Sequence, residues 1–246
     1  MQISDDLYLG PTFGGGASVS AGPSPMELGV GPLGRVYVFD VVPLTLQAAG
    51  LASSQNPGSG GSFTLTAGTG VTARTRLDNT VEYILDTPRS VTITAAGANT
   101  ATYLVTGYDQ YGQRMSQTLA APSTSTVSTT KMFKSVISVT NANATAGTNG
   151  LTVGFGDSIG LPFRLTDVGY TVSLAWNGAT VTINSTNVKV ADQTSPATTS
   201  TTDVRGYVPL TSASDGTKRL VMTIAIPAIG CGPNATRIGA FGVPQV

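Results

Sequence analysis

TYLVTGYDQYGQRMSQTL (Thr102–Leu119) and KMFKSVISVTNANATAGTNGLTVGFGDSIGLPFRL (Lys131–Leu165) hold the densest strand and turn signals in the chain. Tyr103–Gly107 and Gln113–Leu119 flank Tyr108-Asp109-Gln110-Tyr111-Gly112. Asp109 at the start and Gly112 at the end suit a type I turn closed through a left-handed residue. Lys131–Val139 resumes the sheet, and Asn141–Gly150 is a second turn cluster. Leu151-Thr152-Val153-Gly154-Phe155 alternates, with 151, 153 and 155 on one face. Gly156–Pro162 is expected to end that strand in a turn. Two hairpin-like units in one stretch read as antiparallel β structure.

The segments around it agree. Downstream, Val172–Trp176 and Ala179–Ile183 are joined by Asn177-Gly178, the favoured pair for a two-residue type I′ turn. That turn sets Trp176 opposite Ala179, Leu174 opposite Val181 and Val172 opposite Ile183, all six on a core-facing side. Val188–Val190 and Arg205–Leu210 look extended. Upstream, Val81–Leu85 and Val91–Thr94 read as two strands split by Asp86-Thr87-Pro88-Arg89, with Pro88 placed for a type I turn. Phe63–Thr66 alternates as a strand does, and Leu44–Leu51 has the pattern of one short helical turn.

Two strands, Arg35–Val42 and Arg219–Ile226, are apolar on both faces, as expected of strands in the centre of a sheet. They lie near opposite ends of the chain, and one economical arrangement makes them neighbours; the alternative is a purely sequential layout. Before them, residues 1–34 are punctuated by Gly14-Gly15-Gly16, Gly22-Pro23-Ser24-Pro25 and Gly31-Pro32. This part reads as an extended N-terminal arm laid over its own body or a neighbouring subunit, with a disordered terminus as the alternative for residues 1–20. The expected fold is therefore all-β: an antiparallel β-sandwich, jelly-roll-like or with Ig-like lobes. An arm at 1–34 precedes a body at 35–246. The body admits a division into a lobe at 79–165 and a lobe made of 35–78 with 166–246.

Composition narrows the functions. Of 246 residues only 11% are charged, 13 basic against 13 acidic, where roughly 25% is usual. There is no basic run to attract nucleic acid and no apolar run long enough for a membrane-spanning helix. MQISDDLYLG lacks the basic and apolar regions of a signal peptide, so maturation in the cytoplasm is expected. Cys231 stands alone, which leaves no intrachain disulfide.

The chain has no histidine. Ser-His-Asp and Cys-His chemistry and His metal ligation are therefore closed to it. Its acids are scattered through turns and strand ends, and none has the alternating spacing of a calcium loop. Gly154-x-Gly156-x-x-x-Gly160 lacks the Lys-Ser/Thr of a phosphate loop. No catalytic, cofactor-binding or metal residue is assigned, no cofactor is expected, and the chain does not read as an enzyme.

Val105–Gly112, Lys131–Val139 and Gly156–Pro162 together resemble virion structural proteins of tailed bacteriophages. Asp203-Val204-Arg205-Gly206 and Ser214–Leu220 share the likeness, which covers about residues 90–246. The resemblance implies a structural virion protein of the decoration or cement type on the capsid surface, without catalytic residues. Its implied partners are the major capsid protein and copies of itself, a homo-oligomer for which a trimer is one arrangement. Nucleic acid and membrane are not among them. Alternatives are a tail, head–tail connector or fibre component, and a glycan-binding adhesin using Tyr8, Tyr108, Tyr111 or Tyr170.

Overall fold

The computed structural model describes residues 6–8, 33–120, 122–143, 147, 149–192, 194, 198–227 and 245. Cys231 and most of the arm at 1–34 lie outside them. The strands in chain order are β1 (Asp6–Tyr8), β2 (Leu33–Val41), β3 (Gln47–Gln55), β4 (Val71–Thr75) and β5 (Val81–Thr94). Then come β6 (Tyr103–Tyr108), β7 (Arg114–Leu119), β8 (Thr126–Ser128), β9 (Phe133–Asn141) and β10 (Leu151–Gly160). After a 3-10 turn at Val168–Tyr170 follow β11 (Thr171–Trp176), β12 (Ala179–Thr180), β13 (Lys189–Val190), β14 (Gly206–Pro209) and β15 (Leu220–Pro227). The chain is all-β, and its sheets are antiparallel and pack as a sandwich.

A five-stranded sheet runs β1-β2-β15-β11-β12. The two strands that are apolar on both faces are neighbours in it, paired from Leu220↔Val41 to Pro227↔Gly34. The larger, ten-stranded sheet follows the path β13-β14-β10-β5-β9-β6-β7, with β3 on β10 and β4 and β8 on β5. This sheet curls because β5 changes partners half-way along. Residues 81–85 lie beside β4 and β9, while 91–94 lie beside β8 and β10. Register shifts fall between Ile84 and Arg89 on the β9 side, and between Phe155 and Ile159 on the β10 side. Pro88 sits inside that irregularity. The expected turn at Asp86–Arg89 is thus a bend within one continuous strand: a bulge tolerates a residue with no N–H and lets a strand turn a sandwich corner.

Other local expectations changed for similar reasons. The expected helical turn at Leu44–Leu51 is mostly β3, because pairing with β10 overrides local preference. Phe63–Thr66 makes no ladder. It is held by Phe63 N–H to the Val139 carbonyl at 2.9 Å and Thr66 N–H to the Leu51 carbonyl at 2.7 Å. β10 runs on through Gly160 and does not turn at Gly156. The hairpin at Asn177-Gly178 forms as read, with φ of 52° and 78° and Trp176 opposite Ala179. Its far end does not: a register shift between Thr171 and Ser173 turns Val172 outward, where it is 62% exposed. The turn at Asp109 also forms as read, with Gly112 at φ 76° and its N–H on the Asp109 carbonyl at 3.1 Å.

Two apolar clusters form the core, the first among the strands of the curled ten-stranded sheet and the second between that sheet and the five-stranded one. The first gathers Leu51, Leu85, Ile93, Tyr103, Met115, Phe133, Leu151 and Phe155. The second gathers Ile159, Leu161, Phe163, Leu174, Trp176, Leu220, Met222 and Ile224, with half-buried Tyr37, Phe39 and Val41 closing one side. The border between them crosses β10 between Phe155 and Ile159. Each such side chain, fully buried, contributes about 1.5–3 kcal/mol, so both clusters matter to stability.

Candidate functional site

In a chain without histidine the acids are the first candidates for acid–base chemistry. Most serve turns or buried ion pairs. Asp78, Asp167, Asp192 and Asp215 accept backbone N–H groups within tight turns. Burial works to raise Asp192, yet hydrogen bonds from Thr194 and Thr202 prevail and hold it at about 2. The backbone N–H groups of Thr217 and Lys218 hold Asp215 at about 2 as well. Glu82, almost wholly buried, takes Arg74 Nε at 2.5 Å and Arg76 Nη1 at 3.0 Å. Asp109 caps its own turn through Oδ1 and pairs through Oδ2 with Arg205 at 2.9 Å. On the surface Asp40 pairs with Arg219 across the β2–β15 ladder.

The tightest polar cluster surrounds Arg89, which is fully buried. Its Nε donates to the Gly156 carbonyl at 2.9 Å. Nη1 donates to the Leu44 carbonyl at 2.8 Å and to Asp86, and Nη2 to Asp157 and Ser214 Oγ, each at 2.9 Å. Its guanidinium carbon lies 4.9 Å from the Phe155 ring centroid. Asp86 and Asp157 thus share one guanidinium, and Ser214 Oγ donates to Asp157 at 2.6 Å. The fork geometry of arginine satisfies five acceptors from four segments at once. This locks the β5 bend to β10 and to the loop before β15, and it leaves the two carboxylates engaged with protein groups.

Lys131 is the second fully buried cation. Its Nζ donates to the carbonyls of Ser116 at 2.9 Å, Thr198 at 2.7 Å and Gln245 at 2.5 Å. Burial pushes this ammonium down to about 8, against the opposing pull of Asp203 and Asp192. Asp203 is buried too, which raises it, while Arg205 and the N–H groups of Met132 and Arg205 work the other way. Sequence reading singled out neither Arg89 nor Lys131. A lone basic residue in or just before a strand carries no mark of burial, and its partners lie as many as 125 residues away.

Among the described residues, the remaining features bring no ligand site together. A hollow of about 430 Å³ is lined by Arg74, Thr75, Arg76, Leu77 and Asp78. It is the concavity of a single hairpin, where no polar groups from separate elements converge. Among the described residues no group of three acids or thiols is placed to hold a metal. Gly154 cradles no phosphate: a Cβ there would lie 1.9 Å from the Gln47 carbonyl oxygen, so its role is to let β3 press on β10. Tyr108 lies under Arg76 at 4.2 Å, Tyr111 donates its hydroxyl to the Pro162 carbonyl, and Tyr170 packs on the second core.

What stands out on the surface is the outer side of the five-stranded sheet. Val38 is 59% exposed and Val172 62% exposed, with half-buried Val36, Val221 and Ala225 on the neighbouring positions. The Asp40–Arg219 pair marks its edge. Comparison with protein-family models, with curated proteins and with solved structures returns no match.

Proposed function

We propose that this chain is a structural protein of a tailed-bacteriophage particle, a decoration subunit that binds between capsid subunits and stabilises the shell. The observation that carries the reading is the apolar outer side of the β2–β15–β11 sheet, which no described residue covers. A β2 strand apolar on both faces costs solubility unless a partner buries its outer side. The low charge of the chain supports the same reading, because neutral surface suits a protein buried by assembly. So does the engagement of its buried acids in ion pairs that rigidify the body. The likeness at Val105–Gly112, Lys131–Val139 and Gly156–Pro162 supplies the phage context.

The test is reconstitution. Purified chain is added to phage heads stripped of their accessory proteins, and binding and heat resistance are measured. Saturable binding with a raised head-disruption temperature is expected, since a ligand of the intact shell stabilises it by mass action. Val38→Asp and Val172→Asp should each weaken binding tenfold or more while leaving the fold intact. Absence of binding to stripped heads would overturn the reading.

A further inference from the structure

The chain holds two Asn-Gly pairs, Asn149-Gly150 and Asn177-Gly178. Both asparagines have positive φ, 65° and 52°, and the glycines follow at 59° and 78°. The two turns share a backbone conformation, and their surroundings differ. Asn149 is clamped by two other segments. Its carboxamide donates to the Ala98 carbonyl, its own carbonyl accepts Ala96 N–H at 3.1 Å, and Gly150 N–H donates to Asn56 Oδ1 at 2.8 Å.

Asn177 is held only through its backbone N–H, which donates to the Arg219 carbonyl at 2.9 Å. Among the described residues nothing bonds its carboxamide or accepts from Gly178 N–H. A Cβ added at Gly178 would meet nothing within 4 Å, and Asn177 to Thr180 are all exposed. β12, which follows, is two residues long and ends the five-stranded sheet. It is held by the pairs Trp176↔Ala179 and Ala175↔Thr180, with Val181 N–H on the Leu174 carbonyl at 2.8 Å just beyond. Opening this tip uncovers no buried side chain from 177 to 180, and local opening is cheapest where few buried contacts are lost.

We propose that Asn177 is a site of spontaneous covalent modification, deamidation through a cyclic imide, and that the fold withholds the same reaction from Asn149. The reaction needs only water and base. An asparagine in the left-handed region turns its Cγ away from the following nitrogen, so the turn opens first. Hydroxide takes the proton of Gly178 N–H, and the nitrogen attacks Cγ of Asn177. The new C–N bond closes a five-membered imide. The bond from Cγ to Nδ2 breaks, and Nδ2 leaves as ammonia with a proton from water. Water then opens the imide at either carbonyl, giving aspartate or isoaspartate. Glycine favours the attack because no Cβ crowds its nitrogen.

At Asn149 the attacking N–H is engaged by Asn56 and the leaving carboxamide by Ala98. Both bonds break before the ring can close, which slows the reaction by about tenfold or more. At Asn177 either product adds a negative charge to the tip. Isoaspartate also carries the main chain through its β-carbon, a lengthening that a two-residue type I′ loop does not absorb. The pairing of Trp176 with Ala179 is then lost beside the second apolar cluster, to which Trp176 belongs.

Peptide mapping of the full chain tests this. The protein is aged in mildly alkaline buffer, folded and in urea, and then digested with trypsin. Cleavage after Lys134, Arg164 and Lys189 puts the two asparagines in separate peptides, Ser135–Arg164 and Leu165–Lys189. Fragment masses locate the change from amide to carboxylate, and labelling by an isoaspartate methyltransferase counts the isoaspartate. In the folded chain Asn177 should react tenfold or more faster than Asn149, and in urea the two should react at similar rates. Equal rates in the folded chain, Asn149 reacting first, or a difference that persists in urea would each overturn the assignment. So would a folded chain in which neither residue reacts over the time both take in urea.

Discussion

Arg89 and Lys131 are both cations with no exposed surface, yet they are held in different ways. Arg89 meets two carboxylates, one hydroxyl and two carbonyls, so its charge is matched inside the fold. Lys131 meets three carbonyls, with dipoles in place of a bonded carboxylate. Arg89 joins segments that are all in the body of the sandwich, at the bend of β5. Lys131 joins the body to two peripheral pieces, Thr198 and Gln245. Charge pairing thus holds the bend of β5, and neutral carbonyls hold Lys131 to the two peripheral pieces.

The comparison can be broken experimentally, beginning where the effect is largest. Arg89→Met strands Asp86 and Asp157 without their guanidinium, and breaking a buried pair from one side costs about 3–5 kcal/mol. Urea unfolding should show that loss, and a cost below about 1 kcal/mol would mean that water can replace the guanidinium. Lys131→Met strands no bonded carboxylate and removes the desolvation cost of the ammonium. The three carbonyls lose a donor, and a smaller loss of about 1–3 kcal/mol is expected. Equal losses for the two variants would erase the distinction drawn here.

The smallest effect is a pH dependence. In the native protein Lys131 gives up its proton at about 8, and in the unfolded chain at 10.5. Between these values the unfolded chain binds more protons, so this group adds stability as pH rises. Below pH 8 both states are protonated and its contribution is flat. The stability difference between wild type and Lys131→Met should therefore widen in favour of wild type from pH 8 to about 10. Urea midpoints at intervals of one pH unit would show it. The Arg89→Met difference should lack this slope, since a guanidinium does not titrate in that range.

The two turns that depend only on their own residues were legible in the sequence. Asp109 to Gly112 and Asn177-Gly178 form as expected because positive φ and an Asp side chain decide them locally. Pro88 was misread for the opposite reason. Its neighbours allow a turn, but β9, β10 and the Arg89 cluster hold the chain extended there. Val172 failed similarly, because a register shift against β15 lies outside anything the hairpin encodes. The apolar pattern of β2 and β15 marked both as central strands and left their pairing as one of two layouts, of which the structure has the paired one. Lys131 and Gln245 were illegible: they meet across 114 residues, and nothing in either neighbourhood points to the other.

The β2–β15 ladder has a consequence for how the chain is made. Leu220 pairs with Val41, so β2 waits for about 180 further residues before its partner exists. At ordinary rates of synthesis that interval is roughly 9–36 s. Every strand of the first core is complete by Gly160, well before β15 is translated. The first core can therefore fold while the ribosome is still at work, with β2 left as an apolar strand lacking its β15 neighbour. Whatever shields β2 during those seconds, whether a chaperone or a transient strand partner, governs how much of the chain reaches the sandwich and how much is lost to aggregation.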